Sequence, residues 1–86
     1  MNKIWSDRGW EDYLCWQAQD RKTLKRINEL LRDIEREPFG GKGKPEPLKH
    51  ERQGYWSRRI NDIDRLVYRI NNGQIEIASC KSHYDD

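Results

Sequence analysis

No apolar run in this sequence approaches the ~20 residues needed to span a bilayer, and its N-terminus lacks the apolar segment of a signal peptide. A cytoplasmic location without membrane contact is therefore expected. Cysteine is scarce. Cys15 and Cys80 make no disulfide framework, so reduced thiols are expected. Apolar residues are also few, at 34% against 37% charged, with one Phe and one Met. The mean hydropathy of -1.24 points the same way. At 86 residues the chain is read as one domain, 1–86, and a chain this short buries only about 60–65% of its unfolded surface. Much of the core must come from the four Trp and four Tyr, each able to bury roughly 150–250 Å². The expectation is a lean fold, helped by a partner.

Charge is present in both signs, and the net is only +2. Its distribution matters more than its sum. From Gly41 to Arg69 eight Lys or Arg stand against four acids, Glu46, Glu51, Asp62 and Asp64. A local basic excess of this kind favours nucleic acid, although a solvated charged surface has the same composition.

In chain order, Asn2 to Trp5 is a short strand candidate. Ser6 offers an N-cap with Asp7 in the first helical turn, and Trp10, Tyr13, Leu14 and Gln17 follow helical spacing as a face for packing on a sheet. Asp20 is a second cap. It opens a helix whose Leu24, Ile27, Leu31 and Ile34 make an apolar stripe, widened by Leu30. Its outer face is assigned Lys22, Lys25, Arg26, Arg32, Asp33, Glu35, Arg36 and Glu37. Pro38 stops it, because the residue before proline is pushed out of the α region. Pro38 to Pro47 reads as a loop without Walker A spacing, and Leu48 to Gln53 as a short strand or turn.

Two runs rich in aromatic and β-branched residues, Tyr55 to Ile60 and Arg65 to Ile70, flank the turn residues Asn61 to Asp64 and read as a hairpin. It carries Arg58, Arg59, Arg65 and Arg69. With an odd loop or a bulge, Arg59 lies across from Arg65, and Trp56 and Ile60 join the Leu66 face. One face is then core and the other a pair of guanidinium groups suited to phosphate. Asn72-Gly73 suits a type I′ turn and pairs Ile70 with Ile75, Arg69 with Glu76 and Tyr68 with Ile77. In that register Arg65 and Cys80 share a face. Strict alternation then puts Tyr84 on the arginine side and His83 on the other, unless the strand ends or bends first.

The polar residues without an obvious structural task are Glu46, Lys49, Arg59, Arg65, His83 and Tyr84. They fit RNA cleavage by the 2′-hydroxyl, which needs a base, positive charge at the phosphorane and an acid for the 5′-oxygen. Glu46, on a backbone stiffened by Pro45 and Pro47, is the candidate base. Arg65, helped by Lys49 and Arg59, is the charge stabiliser. His83, with a reference pKa of about 6.5, is the acid, and Tyr84 could stack on a base. No metal or other cofactor is required; the spacing of His50, His83, Asp85 and Asp86 matches no metal site.

Several stretches resemble the Txe/YoeB family of bacterial toxins, in the RelE-like group of mRNA endoribonucleases. They are IWS at 4–6, W..YL.W at 10–16, KRINELLRD at 25–33, PF.GKGKPEPLKH at 38–50, G.WSRRI at 54–60, DRLVY at 64–68 and C..HY at 80–84. The resemblance implies an α+β fold of RelE-like, microbial-ribonuclease type, with two N-terminal helices packed on a small antiparallel sheet. It further implies the toxin of a type II toxin-antitoxin system, a ribosome-dependent endoribonuclease that cuts mRNA in the A site and inhibits translation. The implied partners are a YefM/Phd-type antitoxin, mRNA and the ribosome, operator DNA for the toxin-antitoxin complex, and a second copy as a homodimer. The family's active-site residues match Glu46, Arg65 and His83, with Lys49, Arg59 and Tyr84 supporting. Asp64 departs from the pattern, standing where the family often has histidine, and Asp85-Asp86 extend beyond the usual end. Two other readings compete: a non-catalytic basic module for RNA or ribosomes, and a purely structural interaction protein.

Overall fold

The computed structural model describes residues 1–82. Strand β1 (Lys3–Trp5) leads into helices α1 (Asp7–Gln19) and α2 (Arg21–Arg36), followed by β2 (Glu46–Pro47), β3 (Trp56–Arg59), β4 (Arg65–Asn71) and β5 (Gln74–Ser79). The strands form one sheet in the order β1-β5-β4-β3-β2. The expected α+β architecture is thus present. Its sheet is mixed rather than wholly antiparallel, because β1 pairs parallel with β5. Parallel pairing needs a long connection, and both helices and three strands supply it here.

Both helix starts are where the cap residues put them. Ser6 Oγ accepts from Gly9 N at 2.9 Å and donates to the Ala78 carbonyl at 2.7 Å. Asp20 ends one helix and starts the next: its N–H donates to the Trp16 carbonyl, and its carboxylate accepts from the Lys22 and Thr23 amides. Hydrogen bonds from Thr23, its hydroxyl foremost, hold the Asp20 carboxyl below its ordinary range. Helix α2 stops at Arg36, just ahead of Pro38. Its stripe is as read, with Ile27, Leu30, Leu31 and Ile34 buried against Leu66, Tyr68, Ile75, Ile77 and Cys80. Each such side chain gains about 1.5–3 kcal/mol from burial, several times any propensity difference along the helix.

The face of α1 differs from the spacing-based expectation. Its buried residues are Gly9 and Trp16, while Trp10 stays 45% exposed. The cause is close approach. A Cβ on Gly9 would stand 2.9 Å from the Ile77 carbonyl, so the helix seats on β5 along Gly9, Asp12 and Trp16. Asp12 Oδ2 accepts from Cys80 N at 3.0 Å, and Trp16 Nε1 donates to the Cys80 carbonyl at 2.8 Å. Trp10 instead stacks on Tyr13 beside Trp5.

In the central hairpin, Arg59 pairs with Arg65, Arg58 with Leu66 and Trp56 with Tyr68. Asn61 Oδ1 accepts from the amides of Ile63 and Asp64 and shapes the turn. The second hairpin has the expected pairs Ile70–Ile75, Arg69–Glu76 and Tyr68–Ile77. Beyond them a register shift pairs Val67 with Ser79, leaving Ala78 as an extra residue. This bulge corrects the alternation argument: Cys80 joins the core side with Leu66 rather than the Arg65 side, and is fully buried. Burial pushes its thiol up to about 12. Both cysteines are free. Among the described residues no helix is long and apolar enough to cross a membrane.

Candidate functional site

The segment before Glu46 is held by a buried cation. Arg58, one of the four arginines carried by the central hairpin, lies on the core face and is completely buried. Its Nε donates to Tyr68 Oη at 3.1 Å, Nη1 to Asp33 Oδ2 at 2.7 Å and to the Lys42 carbonyl at 3.0 Å, and Nη2 to the Glu37 and Gly40 carbonyls at 2.7 Å. All five guanidinium N–H groups are therefore used. Asp33, expected on the outer face of α2, is buried as its counter-ion. Its carboxyl is held well below the usual range, first by the Lys42 amide and then by Arg36, against the opposing effect of burial. Gly41 has a φ of +89°, and a Cβ there would collide with Asp33 Oδ2 at 2.2 Å. Loop 38–43 is thus wrapped around an ion pair that only glycine lets it approach.

That wrapping delivers the chain to β2. Pairing of Glu46 with Ser57 and of Pro47 with Trp56 makes the end of the expected loop an edge strand, which proline tolerates. A 3₁₀ turn, His50–Arg52, follows. Sheet alternation then puts Glu46, Ser57, Arg59, Arg65 and Val67 on the face turned away from the helices. Glu46 Oε1 accepts from Arg65 Nη1 at 3.0 Å. The Arg65 side chain is 15% exposed and that of Glu46 57%. Arg59 is exposed directly across from Arg65. Like charges in directly opposed positions destabilise a sheet, so this pairing is a local cost that an anion would relieve. Lys49 is exposed at the start of the 3₁₀ turn. Arg69 is occupied differently, by Glu76 and by the ring of Tyr55 at 5.1 Å.

His83 and Tyr84 lie outside the described residues, but the chain leading to them is tightly held. Arg65 N donates to the Ser82 carbonyl at 3.1 Å, and Ser82 N donates to Asp64 Oδ1 at 2.6 Å. Arg8 Nη2 reaches the Lys81 carbonyl and Ser82 Oγ. Ser82 has a φ of +78°, a conformation costing about 1–3 kcal/mol that persists only where surroundings over-determine it.

A carboxylate beside a guanidinium, with a second guanidinium across the strand, can take a proton from a hydroxyl and counter charge on a phosphate. Comparison with known proteins gives this arrangement a context. The sequence profile for the YoeB-like toxin of bacterial type II toxin-antitoxin systems matches residues 5–84. The chain belongs to the YoeB toxin family. It is thus the toxin of a type II toxin-antitoxin system. It is 54% identical to the Escherichia coli K12 toxin YoeB, over 98% of this chain and all of that one. Its fold matches the YoeB/ParE toxin from Agrobacterium tumefaciens with a TM-score of 0.96 at 44% identity, covering 98% of this chain and all of that chain. Two Staphylococcus aureus structures, a YoeB dimer and a heterotetrameric YoeB-YefM complex, match with TM-scores of 0.92 and 0.91. Both are 49% identical, with 98% of each chain covered.

The sequence grouped Glu46, Arg59 and Arg65 by their chemistry, with Glu46 in a loop; the structure puts all three on one face, Glu46 by way of the β2–β3 pairing. The sequence reading missed the ion pair of Asp33 with Arg58 and the ties on residues 80–82. A signal for the first was available. If Arg59 opposes Arg65, alternation forces Arg58 onto the Leu66 face, where a guanidinium needs a buried acid. The ties to Asp12 and Asp64 left no trace in spacing: Asp64 stood out only as a departure from the family's histidine, which does not name its partner.

Proposed function

We propose that this toxin is an endoribonuclease that cuts messenger RNA in the A site of the ribosome and so inhibits translation. The reading is carried by one observation, the 3.0 Å contact between Glu46 Oε1 and Arg65 Nη1 on the open face, with Arg59 opposite. Glu46 takes the proton from the 2′-hydroxyl, and the freed oxygen attacks the adjacent phosphorus. Arg65, with Arg59 and Lys49, counters the added negative charge of the phosphorane. The bond from phosphorus to the 5′-oxygen breaks as His83 protonates that oxygen, leaving a 2′,3′-cyclic phosphate and a 5′-hydroxyl. Tyr84 stacks on a neighbouring base. Every proton and charge in this sequence is handled by a side chain, so no metal or cofactor enters. An acid contributed by a residue bonded to Ser82 is consistent with the backbone tie between Ser82 and Arg65.

The same face suits an inhibitor. A YefM/Phd-type antitoxin would fold an acidic or amphipathic segment over Arg59 and Arg65, in keeping with the YefM complex of the Staphylococcus aureus relative. The complex would bind operator DNA, and the free toxin would pair as a homodimer, as that relative does. The test is a toe-print on translating ribosomes in cytoplasm-derived extract. Wild-type toxin should give a cut within the A-site codon, and Glu46→Gln and His83→Gln should lower cutting by about 100-fold or more. Stalled ribosomes over an intact message would favour a non-catalytic basic RNA- or ribosome-binding module instead.

A further inference from the structure

Glu46 and Arg65 are held by the sheet, but a third group on the terminal segment must be held by something else. Strand β5 ends at Ser79, one residue past the Ala78 bulge and three before the end of the described chain. From there the backbone is carried by side chains. Cys80 N goes to Asp12 and the Cys80 carbonyl to Trp16, while Arg8 takes the Lys81 carbonyl. The last donor, Ser82 N, goes to Asp64 Oδ1 at 2.6 Å. It is the shortest of these ties, and its acceptor is charged.

Asp64 is itself fixed from several directions. It is buried. Its Oδ2 accepts from Asn61 Nδ2 at 3.1 Å, and its N–H donates to Asn61 Oδ1 at 2.7 Å. Its carbonyl accepts from Ile60 N at 3.0 Å. The residue immediately following is Arg65, whose own amide takes the Ser82 carbonyl. One turn therefore locates the guanidinium and, through two bonds to the same residue, the start of the segment bearing His83.

On the ribonuclease reading above, we propose that Asp64 is a positioning residue for the reaction: its carboxylate fixes the Ser82 peptide against the turn that carries Arg65, and so sets the point from which the chain leaves for the acid of that reading. It touches no reacting atom. The turn does not depend on its side chain, since the turn's main bonds use the Asp64 backbone and the Asn61 side chain. Losing the carboxylate should misplace the acid rather than dismantle the sheet.

The measurement is single-turnover cleavage on programmed ribosomes, with kcat and KM separated, for wild type, Asp64→Ala, Asp64→Asn and Asp64→Glu. Thermal melts and exchange protection of the Ser82 amide accompany it. Asp64→Ala should lower kcat by about 10- to 100-fold with KM little changed, and lose Ser82 protection. Asp64→Asn keeps an acceptor oxygen and should recover kcat to within about 3-fold of wild type. Asp64→Glu keeps the charge but moves the acceptor by one methylene, so it should lose kcat with the fold intact; this variant decides the matter if the alanine chain does not fold. Wild type that cuts, with Asp64→Glu and Asp64→Ala both cutting as fast as wild type, overturns the positioning role and leaves the ribonuclease reading standing. Faster cutting in both Asn and Ala variants overturns it too, because Asp64 would then act only as an unfavourable charge near RNA. Wild type that does not cut overturns the ribonuclease reading itself.

Discussion

Arg58 and Arg59 are adjacent in the chain and identical in chemistry, yet they occupy opposite faces of one sheet and do opposite things. Arg58 is sealed in the core with every donor satisfied and Asp33 as counter-ion. Arg59 is exposed across from a second arginine. The core face treats positive charge as a structural fastener for loop 38–43. The open face leaves like charges side by side, a local inconsistency of the kind expected where a binding site overrides stability. The difference between a buried fastener and an exposed charge here is one step of strand alternation.

The comparison can be broken by mutation. Removing Arg58 takes away one partner of a buried ion pair, which costs about 3–5 kcal/mol, so Arg58→Met should lower Tm by at least about 12 °C. Differential scanning calorimetry reads this directly, and an unchanged Tm would show that the guanidinium is not holding the loop. Arg65→Ala should do the reverse, lowering cleavage by about 100- to 1,000-fold with little change in Tm. Arg59→Ala should cost about 10- to 100-fold in cleavage and leave stability within about 0.5 kcal/mol. Equal Tm losses for Arg58 and Arg59 variants would erase the distinction between the faces.

Acid sharpens it further. The Asp33 carboxyl is held well below its ordinary value in the folded chain, the Lys42 amide being the first cause. Between the folded value and the unfolded one of about 3.9, the unfolded state binds more protons, so stability rises with pH there. The contribution is complete above the ordinary carboxylate range and is lost as pH falls beneath it. The deficit of Asp33→Asn in urea denaturation should therefore be largest at pH 7 and shrink below about pH 4. The smallest effect concerns the thiols. With its thiol pushed up to about 12, Cys80 should resist alkylation at pH 8 in the folded toxin and react once urea unfolds it, as mass spectrometry of the labelled peptides would show.

Local rules were legible wherever the structure is local. Ser6 and Asp20 cap because their oxygens satisfy amides within three residues, and the stripe from Ile27 to Ile34 follows from helical period alone. Asn72-Gly73 set the register of Arg69 and Glu76 for the same reason. Alternation predicted Cys80 wrongly because a bulge costs one residue and leaves no mark in composition; Ala78 looks like any strand residue. Trp10 was taken for a buried position because hydropathy cannot see that Gly9, by its smallness, decides which side of α1 meets β5.

Spacing and periodicity by themselves determined both helices, both hairpins and the pairs of the second hairpin, because each rests on residues within a single element or a short turn; the packing of helices on a sheet was implied by the family resemblance, and the placing of Glu46 beside Arg65 by the pairing of β2 with β3. Tertiary structure alone decided that Asp33 is the buried partner of Arg58, that Cys80 turns inward, and that Asp64 grips Ser82. Those outcomes depend on pairing groups far apart in sequence, and a buried charge declares its place only when its partner arrives.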